Sequence, residues 1–337
     1  MEQFTAGERG LKQFLEATDE ICDVRSTVAP ETFRNISTGM PLSGGLLIDA
    51  RTTPVQYERT ARHIARGGID HYQLAMYLDG ETEFAAGRRS AHLRVGDVCL
   101  IDMAQANSTR MKAGASGVSR VLTLVVPRAR LAPLLAAPDS MSASVIAADT
   151  PAGRLLGEHL LALRRGEARA DNSTAVDDAA RLVASAVGFA GGAEAAIKGA
   201  ATGALAAAIK RHIEAEIEAP SLTAETLCKR FGISRTQLYR LLEPDGGLYR
   251  YIRERRLDRA FRRLMSPAGE GVRLIDLAFE SYFSSDNTFI RAFRHRFGIT
   301  PGEVRELAMA RVQNDNGRNG AALSFDPVAA LRQLAEG

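Results

Sequence analysis

The stretch Leu222-Thr-Ala-Glu-Thr-Leu-Cys-Lys-Arg-Phe-Gly-Ile-Ser-Arg-Thr-Gln-Leu-Tyr-Arg-Leu-Leu242 reads as two short helices joined by a tight turn. Thr223 is placed to cap the first helix, Glu225 falls in its positive first turn, and Leu227 and Phe231 share one face. Gly232 predicts its end, because a residue without Cβ readily takes the left-handed conformation that closes a helix. Ser234 and Gln237 have the spacing of a capping box, in which each side chain answers the other's backbone donor, and they open a second helix. Its apolar face is Leu238, Leu241 and Leu242, which leaves Arg235, Thr236, Tyr239 and Arg240 pointing outward. A helix pair whose second member presents polar and basic side chains meets the demands of reading a DNA major groove.

Downstream the pattern returns, with Ala278 in the place of Cys228. Leu274, Ile275, Leu277 and Ala278 form the apolar face of another first helix, Tyr282-Phe283 occupies the turn, and Ser284 or Ser285 caps the second helix of this unit. Phe289, Phe293 and Phe297 recur at helical spacing and are expected in the core, opposite Asn287, Thr288, Arg291, Arg294 and His295. Thr300-Pro-Gly-Glu303 is a further capping box with Pro at the first helical position. Between the two units, Leu248 to Met265 is a helical run with Tyr251, Ile252, Leu257, Phe261 and Leu264 on one side. A helix of that length spans roughly 27 Å. It is suited to hold two recognition helices about 34 Å apart, one turn of B-DNA.

Charge follows the same division. From Pro220 to Arg311 there are 17 Arg and Lys against 11 Asp and Glu, so this stretch carries +6 in a chain of net charge +3. Concentrated basic charge suits a module that neutralises phosphates, although any one cluster could equally be a solvated helix face. No apolar run approaches the roughly 18 residues of a membrane span, and the first residues lack the apolar core of an export signal. The three cysteines, Cys22, Cys99 and Cys228, stand far apart and read as reduced, packed thiols. The expectation is a cytoplasmic protein.

The front of the chain, residues 1–128, reads as β-rich after a short helical segment from Gly7 to Glu20. Strands are expected over Gly45 to Ala50, His71 to Leu78, His92 to Arg94, Val98 to Asp102 and Val118 to Val126. Turns such as Asp79-Gly80, Ala86-Gly87 and Gly96-Asp97 between them argue for a barrel or sandwich. Residues 129–219 turn helical and rich in Ala and Leu, with helices expected over Arg130 to Leu135, Gly153 to Arg165, Val176 to Phe189 and Glu194 to Glu218. Apolar faces of this kind suit a linker that pairs two subunits into a homodimer, or an intrachain bundle. Residues 220–311 form the DNA-binding part and 312–337 a flexible tail, with a short helix expected from Asp326 to Ala335.

Ile275-Asp-Leu-Ala278, Phe283-Ser-Ser and Phe289-Ile-Arg-Ala-Phe-Arg-His-Arg-Phe-Gly-Ile-Thr-Pro301 resemble the C-terminal signature of AraC/XylS transcription regulators. Gly246-Gly-Leu-Tyr-Arg-Tyr-Ile-Arg-Glu-Arg-Arg-Leu257 resembles the connector of one subgroup of that family. The resemblance implies double-stranded DNA as partner, read by Thr236, Tyr239 and Arg240 of the first recognition helix and by Asp286, Asn287 and Arg291 of the second. Arg240 and Arg291 suit guanine and Asn287 adenine, whereas Arg235, Arg294 and Arg296 suit phosphates or stand solvated. Tyr282 departs from the family pattern, which has Gly before the turn Phe. A side chain there must either avoid positive φ or accept strain, and a distorted turn would misplace Arg291 more than Arg240.

His63-Ile-Ala-Arg-Gly-Gly-Ile-Asp-His71-Tyr and Gly96-Asp-Val-Cys-Leu-Ile-Asp102 resemble the cupin-like sensory domain that precedes such DNA-binding halves. The implied fold is α+β: a cupin-like β-barrel with a helical segment, then an all-α domain with two helix-turn-helix units. A small-molecule effector is expected inside the barrel, with Tyr72, Tyr77 and Arg94 as candidate contacts. No cofactor and no metal are expected, because His63, His71 and His92 are isolated, and no nucleophile elbow, phosphate loop or dinucleotide fingerprint is present. RNA polymerase is a further candidate partner. Two other readings stay open: a metal-independent cupin enzyme tethered to DNA, and a DNA-binding regulator that needs no ligand. An open apolar cavity with a few polar groups favours the sensor, a filled core the ligand-free regulator, and clustered perturbed acids or bases the enzyme.

Overall fold

In the computed structural model, residues 2–135, 138–166, 174–187, 205–206, 208–266, 271–315 and 327–336 are described. They fall into two compact units, one of residues 1–187 with 317–337 and the other of residues 188–316.

The first unit opens with β1 (Glu2–Ala6) and α1 (Gly7–Thr18). Its seven-stranded antiparallel sheet continues from β1 through β3 (Arg34–Leu42), β4 (Gly45–Thr52), β11 (Ser119–Val126), β6 (Tyr72–Asp79) and β9 (Val98–Asp102) to β12 (Ser144–Ile146). A five-stranded sheet runs β2 (Asp23–Ser26), β5 (Val55–Arg59), β10 (Asn107–Lys112), β7 (Glu81–Ala86) and β8 (Arg89–Leu93). Two short helices, α2 (Ala61–Gly67) and α3 (Arg128–Leu131), come after β5 and β11 in the chain. The barrel expected from the sequence is therefore a pair of separately hydrogen-bonded sheets, not a closed cylinder. Their shared core holds Phe84 and Met111 from the smaller sheet against Ala75, Tyr77 and Ile101 from the larger.

Strand alternation sends the other set of side chains outward. Leu74 and Met76 pair with Leu124 and Leu122 across β6 and β11, and all four pack against α4 (Pro151–Arg165) and α5 (Ala175–Val187). Of the apolar faces that suggested pairing between subunits, those of α4 and α5 are thus spent inside this unit: Leu156, Leu160, Leu163, Val176, Ala179 and Val183 are buried on the sheet. Gly45 permits the close approach, since a Cβ there would stand 2.8 Å from the Val176 Cγ2. Asp49 adds a polar tie, accepting from Arg120 at 3.1 and 2.6 Å and pairing with Arg164 of α4 at 2.8 Å. Residues 194–204 of the last expected helix in this region lie outside the described residues. After α5, helical structure is described again at residues 205–206 and from residue 208.

Among its described residues the second unit has helices and no strand. Residues 208–215 (α6) bring Ile209 and Ile213 against the core of α7 (Ala224–Phe231) and α8 (Arg235–Leu242). The 18-residue α9 (Leu248–Met265) serves both halves. Leu248, Tyr251 and Ile252 join the first core, while Phe261 meets the phenylalanine stripe of α11 (Asp286–Phe297). Then α10 (Leu274–Glu280) and α12 (Pro301–Asp315) complete the unit. The final described helix, α13 (Pro327–Glu336), does not trail away as a tail. Leu331 at its centre is buried in the sheet domain.

Candidate functional site

Each helix-turn-helix is built by its caps. The Thr223 hydroxyl accepts from the Thr226 amide at 3.2 Å while Thr226 Oγ1 accepts from the Thr223 amide at 3.0 Å, and Gly232 closes α7 at φ +64°. The Ser234 hydroxyl accepts from the Gln237 amide at 3.2 Å, so half of the expected box forms and the capping of α8 rests on the serine. In the second unit the choice between Ser284 and Ser285 falls on Ser285, whose hydroxyl accepts from the Thr288 amide. The Thr300 and Glu303 box is complete, the Glu303 carboxylate accepting from the Thr300 amide at 2.7 Å.

These caps aim the recognition helices. With Leu238, Leu241 and Leu242 buried, Arg235, Thr236, Tyr239 and Arg240 are all exposed on α8. On α11, Phe289 and Phe293 are buried while Asn287, Arg291 and Arg294 are exposed. Asp286 is half-buried at the start of α11, its carboxylate accepting from the Asn287 amide at 2.8 Å. Arg296, expected at a phosphate or in solvent, is committed elsewhere. Its guanidinium donates to both Asp258 oxygens at 2.6 and 2.9 Å and pairs with Glu254 at 3.0 Å, which bolts α11 to the connector α9.

Tyr282 adopts φ +62°, the left-handed conformation for which the family pattern keeps a glycine. The turn is therefore undistorted, and the expected handicap of Arg291 relative to Arg240 loses its premise. The strain of a side chain there, about 1–3 kcal/mol, is offset by what the side chain touches. Its ring lies 3.9 Å beneath the Arg256 guanidinium carbon, and its hydroxyl donates to the Glu218 carbonyl. Tyr282→Phe should lower stability of the helical unit by about 0.5–1.5 kcal/mol, the worth of one hydrogen bond. Tyr282→Ala keeps the unfavourable φ but loses the stacked cation too, and should cost about 1–3 kcal/mol. Denaturant titrations compare the two, and a loss no larger in Ala than in Phe would refute the stacking.

A cavity of about 230 Å³ lies between the sheets of the first unit. Phe14, Ile48, Ala75, Ile101, Met111 and Val121 give it an apolar wall, and Tyr57, Gln73, Asn107, Thr109 and Thr123 add neutral polar groups. Arg59 is the one charged side chain among its described lining. Burial lowers the Arg59 guanidinium to about 10, against the opposing influence of Cys22, Asp102 and Asp70. It is held by three backbone carbonyls, those of Met103 and Ile69 at 2.9 Å each and that of Ile21. Burial pushes the hydroxyls of Tyr57 and Tyr77 well above their ordinary value and the Cys22 thiol to about 12, so these groups face the cavity uncharged. A wider concavity of about 860 Å³ over the smaller sheet has a charged lining that includes Arg25, Glu58, Glu83 and Arg110.

Of the three expected ligand contacts, Tyr77 lines the cavity. Tyr72 does not: it sits on the opposite face of the larger sheet, accepting from Arg128 at 2.9 Å and donating to the Pro138 carbonyl. Arg94 does not either, being exposed in the turn after β8, where its backbone amide donates to Asp97. The polar groups of β5, β10 and β11 were missed. Thr123, between Leu122 and Leu124, was the available signal, since a hydroxyl within the apolar run Val121 to Val126 marks a face that meets a cavity. The three isolated histidines have separate tasks. His63 Nδ1 accepts from the Thr60 amide at 3.0 Å, His71 bonds the Leu331 carbonyl, and His92 stands near Glu81. Among the described residues no cluster of three His, Cys, Asp or Glu could hold a metal, and no helix is long and apolar enough to cross a membrane.

The chain thus joins a cavity-bearing two-sheet domain, the form of a small-molecule site, to a double helix-turn-helix, the form of a major-groove reader. A helix-turn-helix domain model matches residues 227–307, and an AraC-binding-like domain model matches residues 17–188, half of the chain. The chain belongs to the AraC family of transcription regulators. Over 84 residues, 24% of this chain and 66% of the relative, it is 33% identical to the probable transcription factor PqrA of Proteus vulgaris. Over 107 residues, 30% of this chain and 37% of the relative, it is 34% identical to the HTH-type transcriptional activator RhaS of Escherichia fergusonii. It thus spans less than two thirds of either relative's length. The crystal structure of the AraC-like transcriptional activator CuxR superposes with a TM-score of 0.51 at 23% identity, over 78% of this chain and 96% of that one. At that identity the match speaks for the fold.

Proposed function

We propose that the chain is a sequence-specific transcription regulator of the cytoplasm. It binds double-stranded DNA through α8 and α11 and is controlled by a small, mainly apolar molecule in the cavity between the sheets. The observation that carries the reading is the pair of capped, exposed recognition helices, each with an uncommitted arginine, Arg240 and Arg291, on the side opposite its apolar core. The open cavity favours a sensor over a ligand-free regulator. Regulation is favoured over catalysis because the titratable groups lining the cavity, Tyr57, Tyr77, Cys22 and Arg59, are held by burial or backbone bonds and not arranged as an acid and base pair. An effector that differs in affinity between states of the protein would shift their populations. Contact with RNA polymerase and a homodimer belong to the same proposal, the dimer contact to be sought outside the buried faces of α4 and α5.

Arg240→Ala and Arg291→Ala should each leave the fold intact, because neither residue contributes to a core. If each arginine grips a guanine by two hydrogen bonds, its removal costs about 1–3 kcal/mol of binding and relaxes preference at one position of the site. A phosphate contact would instead give a nearly uniform loss and shrink the salt slope by about one unit. The measurement is binding of wild type and both variants to an operator selected from random DNA, at two salt concentrations. Unchanged affinity and preference in both would overturn the assignment of α8 and α11 as readers.

A further inference from the structure

The C-terminal helix α13 forms part of the wall of the inter-sheet cavity, although it follows the DNA-binding helices in the chain. Leu331 lines the cavity and is buried against Leu46, Ile69, Met103 and Val125. Three independent contacts seat the helix. The side chain of Leu331 fills an apolar socket whose floor is rigid, because Arg59 holds the backbone carbonyls of Ile21, Ile69 and Met103 from beneath. His71 Nε2–H donates to the Leu331 carbonyl at 2.7 Å; the ring is buried and its Nδ1 has no hydrogen-bond partner, so this bond is what the side chain is placed to make. Arg332 pairs with Glu20, in the turn that follows α1, at 2.7 Å.

From these contacts we infer that α13 is a closable lid over the effector cavity, displaced from its seat as ligand enters. The inference rests on the reading of this cavity as an effector site and names its regulation. Two observations fit a lid better than a permanent wall. A cavity of about 230 Å³ is below the roughly 300–1,000 Å³ of ordinary ligand pockets. It stays small while Leu331 occupies its edge. The socket is also edged by polar anchors, an ion pair and a single histidine bond, which exchange readily for water when the helix leaves. Residues 316–326 link α13 covalently to α12.

Cys22 provides the readout, because it is buried, lines the cavity and follows Ile21, which packs against the Leu331 cluster, whereas Cys99 is buried in β9 and is not among the cavity's described lining. Full-length wild type, Leu331→Asp and Leu331→Met are treated with N-ethylmaleimide in the absence of DNA and effector, and alkylation of each cysteine is followed by peptide mass spectrometry. A carboxylate in the socket should undock the helix. Cys22 alkylation should then rise about tenfold or more in the Asp variant, as expected for local opening. Cys99 should stay protected, and the Met variant should match wild type. Unchanged Cys22 reactivity in Leu331→Asp overturns the lid, as does a parallel rise in both cysteines, which would make Leu331 ordinary core. Neither outcome depends on an effector existing. Failure of the effector reading would appear separately, as a flat thermal-shift screen of the wild-type chain against small apolar metabolites.

Discussion

Phe293→Ala should lower the stability of the second helix-turn-helix by about 3–5 kcal/mol, the usual cost of emptying a buried phenylalanine site. Phe293 is wholly buried and central to a chain of rings, with centroids 5.5 Å from Phe289, 4.6 Å from Phe297 and 5.9 Å from Phe261 on the connector. Among the described rings it is the one that meets three others, and the bidentate Arg296–Asp258 contact lies on the same seam between α11 and α9. The first core is built from a separate cluster, Leu227, Leu238, Leu242 and Leu248 with Ile209 and Ile213, and should survive. The expected result on DNA is therefore selective: footprinting on a selected operator should show one half protected and the other lost. Phe293→Leu, which conserves most of the volume, should retain both halves. A Phe293→Ala variant with wild-type stability and an undivided footprint would show that α11 is neither held by this stripe nor needed for reading.

How far the molecule was legible in its sequence depends on the range of the interactions. The helix-turn-helix units were readable because their determinants are local. Thr223, Ser234, Ser285 and Thr300 cap within three residues, and the phenylalanine stripe repeats within one helix. The facing of β6 was not readable, since the larger sheet is covered on one side by α4 and α5 and on the other by the smaller sheet. A strand buried on both faces has no polar alternation to betray its orientation, so Tyr72 and Tyr77 looked equivalent. The closure of the barrel was over-read for the same reason: glycine turns announce strands but not which edges join. His71 was an isolated histidine in sequence because its partner carbonyl is 260 residues away. The Arg128 cluster is non-local in the same sense, drawing Asp70, Asp102 and Asp139 from three separate segments.

Losing the centre of that cluster should be costly. Arg128 pairs with Asp102, which has no exposed side-chain surface, with Asp139 at 3.1 Å and with Asp70 at 3.4 Å, and it lies over the Tyr72 ring at 4.6 Å. Burial alone would lower its pKa, but Asp102, Tyr72 and Asp139 more than reverse this and hold the guanidinium firmly charged. Arg128→Ala leaves Asp102 and Asp139 buried without their cation, and breaking such a pair from one side costs about 3–5 kcal/mol. Removing both partners should cost less, so Arg128→Met with Asp102→Asn should recover part of the loss. The loss should also depend on pH. Burial pushes the Asp102 carboxyl up, and without Arg128 nothing of comparable strength opposes it. A carboxyl whose folded pKa is raised binds its proton more tightly in the folded state, so the variant loses stability as pH rises from about 4 through that raised value. The gap between wild type and Arg128→Ala should therefore be narrower at pH 5 than at pH 8. Melting curves of the full-length chain at both values measure it, with the loss confined to the unit that holds the two sheets. A gap that is equal at both values, or wider at pH 5, would mean that Asp102 does not carry the cost of losing Arg128.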